Sequence, residues 1–442
     1  MNLHPVVDQT VRHVPLDPIT AIAYAILLTG VAVLSMRRPA WGIVILILLQ
    51  PFAFYRDIGG TTITLPKIAL IGVLVGCTFH PGAFRVLRER SAARLLVAGL
   101  LVVGATALSI AQAAFPHPAF RETLKALEYV LLFSVVYAAY RLDPDRRLIV
   151  SAVAGVVMLV SLMALSEEIL GAPSGMWFNG HPIPRIAGPL EGPNQLAGYF
   201  DIALPLLLAF LIERKSRLLT LALFLAMFAD VLTLSRGGLI GAVLGIAVVC
   251  IIYRRSFQHA LLPVAGGVLA GIAIAGFWAA VAHSVGVFRV SSIDVFRLNS
   301  KAASLYAGGV GTRSELWRAA IALWRQHPIL GIGAGNFELE LQRVGLRGVR
   351  THANSLYLQS LVEGGLPLLA ATLYLVWTSI ASFARDRLAS PLIAGAFAAA
   401  IALAVHQVAD FLTFFPKVGG WWWLVLALAA AELSAVKREQ AG

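Results

Sequence analysis

The chain has 442 residues, of which 59% are hydrophobic and only 13% are charged, and its mean hydropathy is +0.80. Soluble domains carry about 45–50% apolar and about 25% charged residues, so a soluble multi-domain enzyme, a disordered chain and a fibrous protein are excluded. Lys and Arg outnumber Asp and Glu by 35 to 23, a formal net charge of +12. In a chain this apolar, the excess reports first on membrane orientation rather than on nucleic-acid binding.

Thirteen apolar runs are long enough, or nearly so, to cross a bilayer, which takes about 20 residues per helix. They cover 19–36, 40–54, 65–79, 92–115, 120–140, 148–170, 195–212, 218–235, 237–253, 259–283, 355–383, 389–414 and 418–436. The runs at 40–54 and 65–79 are short for a span. The sequence therefore predicts an all-α polytopic membrane protein with 12 to 13 transmembrane helices.

Basic residues fall on alternate connections between these runs. They are Arg37, Arg38, Arg85, Arg88, Arg90, Arg94, Arg141, Arg146, Arg147, Arg214, Lys215, Arg217, Arg254, Arg255, Arg385 and Arg387. The positive-inside rule assigns their face to the cytoplasm, so we expect the long hydrophilic segment 285–354 on the outer face. The predicted organisation is a transmembrane part (1–284), an outer loop domain (285–354) and carboxy-terminal transmembrane helices (355–442).

The outer segment carries nine Lys and Arg residues against four Asp and Glu residues. It is either a solvated loop or a surface that faces an anion such as a lipid diphosphate. Residues 312–315 (Thr-Arg-Ser-Glu) form a capping box, which predicts a helix lying flat on the membrane and ended by Pro328. Its apolar face would hold Trp317, Ile321 and Trp324. Residues 331–335 follow as a glycine-rich turn, and since no strand precedes it, a phosphate-binding loop is only weakly indicated.

Two candidate sites lie on outer connections between helices. Residues 185–194 form an irregular loop with two Gly and two Pro, which begins with Arg185 and ends with Asn194, a candidate cap for the next helix. An ordinary capped loop is the alternative. Arg236 lies between two long apolar runs and is followed by two glycines. An arginine at such a depth is costly and indicates function, unless it only snorkels to the interface.

Two further candidates lie at the ends of the outer segment. Arg313 falls in the first turn of the predicted helix, where its charge opposes the helix dipole; an exposed loop cation is the alternative. His352 lies where the chain returns to the membrane, just before Asn354 or Ser355 as helix cap. A neutral imidazole there can accept a proton near pH 7, because the helix amino end disfavours the protonated form. A lone histidine is otherwise more often structural.

Four acidic residues lie in or near apolar runs: Glu128, Asp201, Asp230 and Asp410. They would form a proton or ion path, or pair with the outer arginines, which is the simpler interpretation for Asp230 and Asp410. No metal site is expected, because the outer face has no His-x-x-x-His, no Cys pair and no Asp-x-Asp.

In this order, the motifs resemble those of the O-antigen ligase/polymerase superfamily. They are Thr-Leu-Ser-Arg-Gly-Gly (233–238), Arg-x-x-x-Trp (313–317), His-Pro-x-x-Gly-x-Gly-x-Gly-Asn-Phe (327–337), His-x-Asn-Ser-x-Tyr-x-Gln (352–359) and Glu-x-Gly (363–365). The late outer loop with a histidine at its end looks most like the O-antigen ligase branch. Those enzymes move a glycan from undecaprenyl diphosphate onto lipid A–core oligosaccharide, at the periplasmic face of the Gram-negative inner membrane.

The resemblance implies a GT-C-like glycosyltransferase that needs neither metal nor cofactor. Direct displacement would invert the anomeric configuration, and the motifs favour it because they contain no carboxylate that matches a glycosidase-type nucleophile. Arg236 and Arg313 match motif arginines that would bind the donor's diphosphate, and Arg185 would be a third. His352 matches the family's essential histidine and would be the general base. Asn194, Asn354 and Tyr357 would support this site.

The implied partners are the undecaprenyl-diphosphate-linked O-antigen donor, the lipid A–core acceptor and the bilayer, with no nucleic acid. Members are described with twelve spans and both termini cytoplasmic, so thirteen runs with an outer amino end depart from the family. The alternatives in the same superfamily are an O-antigen polymerase and a protein O-oligosaccharyltransferase. A polysaccharide or lipid transporter is the alternative of another class, although paired halves with broken helices do not stand out.

Overall fold

The computed structural model describes residues 16–52, 55–58, 61–170, 177–178, 181–182, 185–254, 258–285, 313–346 and 351–441. Its helices are α1 (Pro18–Arg37), α2 (Pro39–Leu49), α3 (Leu65–Thr78), α4 (Arg90–Ser109), α5 (Pro116–Leu142), α6 (Arg146–Leu170), α7 (Pro193–Glu213), α8 (Arg217–Leu232), α9 (Arg236–Ile252), α10 (Gln258–Val285), α11 (Arg313–Trp324), α12 (Phe337–Glu340), α13 (Leu356–Ala384), α14 (Pro391–His406) and α15 (Pro416–Ala441). Each of the thirteen predicted runs overlaps one of these helices. The predicted all-α polytopic class is therefore confirmed.

Among the described residues, eight helices are long and apolar enough to cross a membrane. The helices α2 and α3 have 11 and 14 residues, about 16 and 21 Å at 1.5 Å per residue, which is less than the bilayer core of about 30 Å. Between them lies an antiparallel hairpin of β1 (Tyr55–Ile58) and β2 (Thr61–Thr64). A second, very short hairpin pairs β3 (Trp177–Phe178) with β4 (His181–Pro182). The second and third runs, which are short for a span in the sequence, thus form helices that are shorter than the bilayer core.

The helices α7 and α15 form the centre of the bundle. Both are almost wholly buried, whereas α1 and α10 expose most of their apolar surface at the periphery. The helix α7 packs against α8, α9 and α14, and α15 packs against α5. Trp421 of α15 stacks on Tyr199 of α7, with ring centroids 5.4 Å apart. Exposed large apolar side chains on the outer helices fit a lipid environment.

The basic connections lie together on one face. Arg38, between α1 and α2, pairs with Asp143 after α5 at 3.3 Å. Arg146 at the start of α6 pairs with Glu213 at the end of α7 at 2.6 Å, and lies 3.7 Å from Glu432 near the end of α15. The expected grouping of cations on one face is therefore confirmed for these connections, whereas Arg255 lies outside the described residues. The cytoplasmic assignment of that face stays a prediction from the positive-inside rule.

The helix α13 is kinked where it packs against the glycine-rich turn. Gly365 has φ 63° and ψ −157° inside the helix, and Pro367 follows it. Because proline has no N–H, the main-chain carbonyl of Glu363 lacks its helical donor. The N–H of Gly333 fills this place at 2.9 Å. The predicted non-helical turn is confirmed, and this N–H is used by α13 rather than left for a phosphate.

Replacing Gly365 with alanine should destabilise the protein. Its backbone conformation is open essentially to glycine only, and an added Cβ would overlap the carbonyl oxygen of Ile329. We expect a loss of at least about 2 kcal/mol, seen as a lower thermal unfolding midpoint of the detergent-purified protein. Gly155→Ala in α6 is the matched control, because nothing lies within 4 Å of the added Cβ. Equal midpoints for the two variants would contradict this account of the kink.

Candidate active site

Four polar side chains form a connected cluster at the end of the bundle where α7, α9, α11 and α13 begin. Arg185 donates from Nη2 to Oδ1 of Asn194 at 2.8 Å, and from Nε to the carbonyl of Thr233 at 2.7 Å. Asn194 donates in turn to Oδ2 of Asp410 at 2.8 Å. Nη2 of Arg313 lies 3.7 Å from the same oxygen. Asp410, which is only 5% exposed, is thus the centre of what we call the arginine cluster.

The prediction that Asn194 caps α7 is wrong. The cap residue is Gly192, and no side chain bonds the first turn of α7. Asn194 points instead to Arg185 and Asp410, so it joins a cation to an anion. The predicted pairing of Asp410 with an outer arginine is confirmed. The same prediction for Asp230 is wrong, because neither of its carboxylate oxygens has a hydrogen-bond partner among the described residues.

Arg236 belongs to the same cluster. It is the first residue of α9 and follows the cap Ser235, whose Oγ accepts from the N–H of Gly238 at 3.3 Å. The side chain of Arg236 is exposed. Burial lowers the pKa of Arg185 to about 10; Asp410 opposes this shift, and the charges of Arg313 and Arg236 add to it. The charges of Arg313 and Arg236 thus both act on Arg185, and the three positive charges outnumber the single carboxylate of Asp410.

His352 lies in an aromatic pocket. Its ring centroid is 4.1 Å from that of Phe414, 5.6 Å from Phe411 and 6.1 Å from Phe415. The ammonium of Lys125 lies over Phe414, 3.7 Å from the ring centroid. Burial, and to a lesser degree the charge of Lys125, lowers the pKa of His352 to about 4. Both causes favour the neutral imidazole at pH 7; the contribution expected from the amino end of the next helix stays a prediction.

One loop joins the arginine cluster to the histidine. Asp410 and Phe411 are consecutive, and the carbonyl of Asp410 accepts from the N–H of Leu356 at the start of α13 at 2.9 Å. This loop was included in the predicted apolar run 389–414, but α14 already ends at His406. The phenylalanines made the segment look like a span, but they pack around His352. The arginine cluster and a candidate base are thereby held side by side.

The remaining predicted site residues shape the start of α13. Ser355 is its cap, and its side chain accepts from the N–H of Leu358 at 3.4 Å. Asn354 has a left-handed backbone with φ 47° and makes the turn between His352 and the helix. The hydroxyl of Tyr357 donates to the carbonyl of Ala404 at 2.9 Å. Tyr357 thus attaches α13 to α14, and its contact with a sugar stays a prediction.

The helix α11 does not pack on the rest of the protein mainly through its predicted tryptophan face. Its buried residues are Leu316, Ala319, Ala320 and Leu323, whereas Trp317, Ile321 and Trp324 are only half-buried. The four buried residues form a small core with Phe337 and Val362, and Trp324 packs against it. Two small alanines let α11 approach α13 closely, which the spacing of the large residues did not reveal. Thr312 of the capping box lies outside the described residues.

A cavity of about 150 Å³ lies beside this site, between α4, α5, α13, α14 and α15. Most of its wall is apolar, with Leu368, Leu403 and Trp422 among the lining residues. Its polar lining residues include Lys125, and it reaches Phe414, the ring in contact with His352. In the described part of the chain, no three His, Cys, Asp or Glu residues are placed to hold a metal ion.

Sequence reasoning missed Lys125 and the aromatic pocket. Lys125 pairs with Glu122 one turn earlier in α5 at 2.5 Å, and both interrupt the apolar run 120–140. Charged residues at such a spacing in a span are a usable signal. Another missed pair is His406 with Asp201, which lie 205 residues apart and whose contact no local pattern reveals.

The fold and site define a class: a polytopic membrane protein with a polar, arginine-rich site at one end of its helix bundle. Residues 221–373 match the family model described as O-Antigen ligase. This match supports membership of the O-antigen ligase/polymerase superfamily. It includes Arg236, Arg313 and His352, whereas Arg185, Asn194 and Asp410 of the same site lie outside the matched residues. No match was found among curated proteins.

Proposed function

We propose that the protein is a glycosyltransferase that moves O-antigen glycan from undecaprenyl diphosphate to lipid A–core oligosaccharide at the periplasmic face of the inner membrane. The observation that carries this proposal is the loop after α14. In it Asp410, at the centre of the arginine cluster, directly precedes Phe411, which packs on His352. Fixed cations and a neutral base then act on one donor and one acceptor.

The arginine cluster would hold the donor. Guanidinium groups bind phosphate oxygens through paired hydrogen bonds. Arg313 has an exposed side chain beside Asp410, and Arg236 has an exposed side chain within electrostatic range of Arg185. As the glycosidic bond breaks, the diphosphate leaves with the bonding electron pair. Cations already in place stabilise this developing charge more in the transition state than in the ground state.

His352 would take the proton. An acceptor sugar hydroxyl attacks the anomeric carbon while the imidazole removes its proton, so the new C–O bond forms as the bond to the diphosphate breaks. Direct displacement inverts the anomeric configuration. Asp410 is engaged by Asn194 and Arg313, which argues against its use as a glycosidase-type nucleophile.

The cavity between α4, α5, α13, α14 and α15 would receive part of the donor's isoprenoid chain. Its wall is mainly apolar, and Phe414, which lines it, contacts the ring of His352. A lipid that enters there carries its diphosphate at the boundary between the apolar bundle and the arginine cluster. This arrangement suits a donor that is anchored in the bilayer.

Transfer by the purified protein tests the proposal directly. We expect detergent-solubilised or liposome-reconstituted protein to move glycan from undecaprenyl diphosphate to purified lipid A–core without ATP or a proton gradient. Glycan that grows on the lipid-linked donor instead would indicate an O-antigen polymerase, and glycan on a pilin-like protein an O-oligosaccharyltransferase. Movement of the donor across vesicles with no new glycosidic bond would indicate a transporter and contradict the proposal.

Deletion in the cell provides a second test. Without the protein, polymerised glycan should accumulate on undecaprenyl diphosphate and be missing from the lipid A–core. The measurement is gel analysis of extracted lipopolysaccharide beside the lipid-linked pool. A single repeat unit on the core would instead indicate the polymerase.

A further inference from the structure

A buried histidine–carboxylate pair lies beneath the arginine cluster. Nδ1 of His406, the last residue of α14, is 2.5 Å from Oδ2 of Asp201 in α7. Their side chains are 2% and 0% exposed. The neighbouring Asp230 of α8 is also fully buried and lies within electrostatic range of Asp201. Neither the motif resemblance nor the proposed transfer uses this pair.

The pair directly supports the segment that carries Arg236. A Cβ added at Gly237 would lie 2.5 Å from Cδ2 and 2.7 Å from Nε2 of His406, so the imidazole edge packs on this backbone. One turn later, a Cβ added at Gly241 would lie 2.7 Å from Cγ of Asp201. Both partners of the pair therefore form the surface on which the first two turns of α9 rest, and Arg236 is the first residue of that helix.

The pair also lies close to the rest of the cluster. His406 is within electrostatic range of Asp410 and Arg313. Replacing a buried ion pair by apolar groups is often neutral for stability, so stability alone is a weak reason to place two polar groups in an apolar bundle. A fixed hydrogen bond between α7 and α14 instead sets the position and orientation of the turns of α9 that pack on it.

We propose that Asp201 and His406 are positioning residues for the transfer, because together they fix the start of α9 so that Arg236 meets the donor's diphosphate. This inference rests on the proposed function. Neither residue touches the substrate in this account, since the imidazole edge is covered by Gly237. Their effect on the reaction therefore passes through Arg236.

A double-mutant cycle tests this inference, with kcat and KM measured for an undecaprenyl-diphosphate-linked donor. We expect Asp201→Asn to lower kcat/KM for the donor about 10-fold, or about 1.4 kcal/mol, mainly through a higher donor KM. In an Arg236→Ala background the same substitution should change kcat/KM less than twofold, because its target is gone. A further 10-fold loss in that background would overturn the inference.

Asp230→Asn is the matched control, since it makes the same substitution at an equally buried acid that is not among the nearest neighbours of Gly237 or Gly241. It should change the donor KM less than twofold; an effect as large as that of Asp201→Asn would contradict a specific role for the pair. If Asp201→Asn does not fold, Gly237→Ala disturbs the same contact from α9, and the same cycle applies to it. Absence of transfer by the wild-type protein would instead refute the proposed function itself.

Discussion

Replacing His352 with alanine should reduce glycan transfer about 10²- to 10⁴-fold, the range typical for the loss of a general base. The reduction should appear in kcat, with little change in the donor KM, because His352 acts on the acceptor hydroxyl and the arginine cluster holds the donor. Transfer to lipid A–core by the purified variant is the measurement. Normal activity of His352→Ala would remove the proposed base and with it the mechanism.

The control for this variant is a histidine on the opposite face. His80 precedes α4 on the face of the basic connections, and its Nε2 lies 3.4 Å from the carbonyl oxygen of Ser35. His80→Ala should keep wild-type activity. The two variants should also elute alike on size exclusion, because both should fold. Among the described residues, His352 makes ring contacts but no hydrogen bond. An aggregated His352→Ala would be replaced by His352→Gln, which retains polarity without the base.

The pH profile gives an independent check of His352. Its pKa is lowered from 6.5 to about 4, so the neutral, active form already predominates well below pH 6. We expect kcat/KM to stay level from pH 7 down to about pH 5 and to fall only as the pH approaches the lowered value. Lys125→Met removes the secondary cause of the shift and should move the acid limb upward. A limb near pH 6.5 in the wild-type protein would contradict the lowered pKa of His352.

The sequence predicted the helices and the three motif residues because both are indicated by residues that lie close together in the chain. Apolar runs report bilayer-length helices, and the combination of Arg236, Arg313 and His352 is carried by short motifs. The limits of the runs were less accurate where apolar side chains serve a site. Because Phe411 and Phe414 are apolar, the predicted span reached residue 414. In the structure both residues lie beyond the end of α14 and pack on His352.

Contacts between distant segments were beyond local patterns. Asn194 was expected to cap its own helix, yet its side chain bonds Asp410, 216 residues away. The His406–Asp201 contact joins two helices that hydropathy reads only as apolar. Hydropathy and spacing describe what one element does, whereas a site made from the ends of five elements depends on how those elements pack. The sequence therefore named candidates, and the packing decided which of them meet.

Arg313→Ala should reduce transfer about 10²- to 10³-fold, comparable to the loss of one preorganised donor that stabilises transition-state charge. Arg313 lies 3.7 Å from Asp410, which orients it, while 45% of its side chain stays exposed for a ligand. Because the guanidinium would bind the diphosphate both before and during bond breaking, the donor KM should rise and kcat should fall. This split separates it from His352→Ala, in which the donor KM is expected to stay constant.

Two further variants decide whether charge or geometry matters at this position. Arg313→Lys keeps the charge but loses the planar, paired donors, so it should recover only part of the activity; full recovery would show that a point charge is enough. Arg325 is an exposed cation just after the same helix, α11, and Arg325→Ala should leave transfer unchanged. Equal losses for Arg313→Ala and Arg325→Ala would mean that the outer segment acts through its net charge alone. The cluster around Asp410 would then not be the diphosphate site.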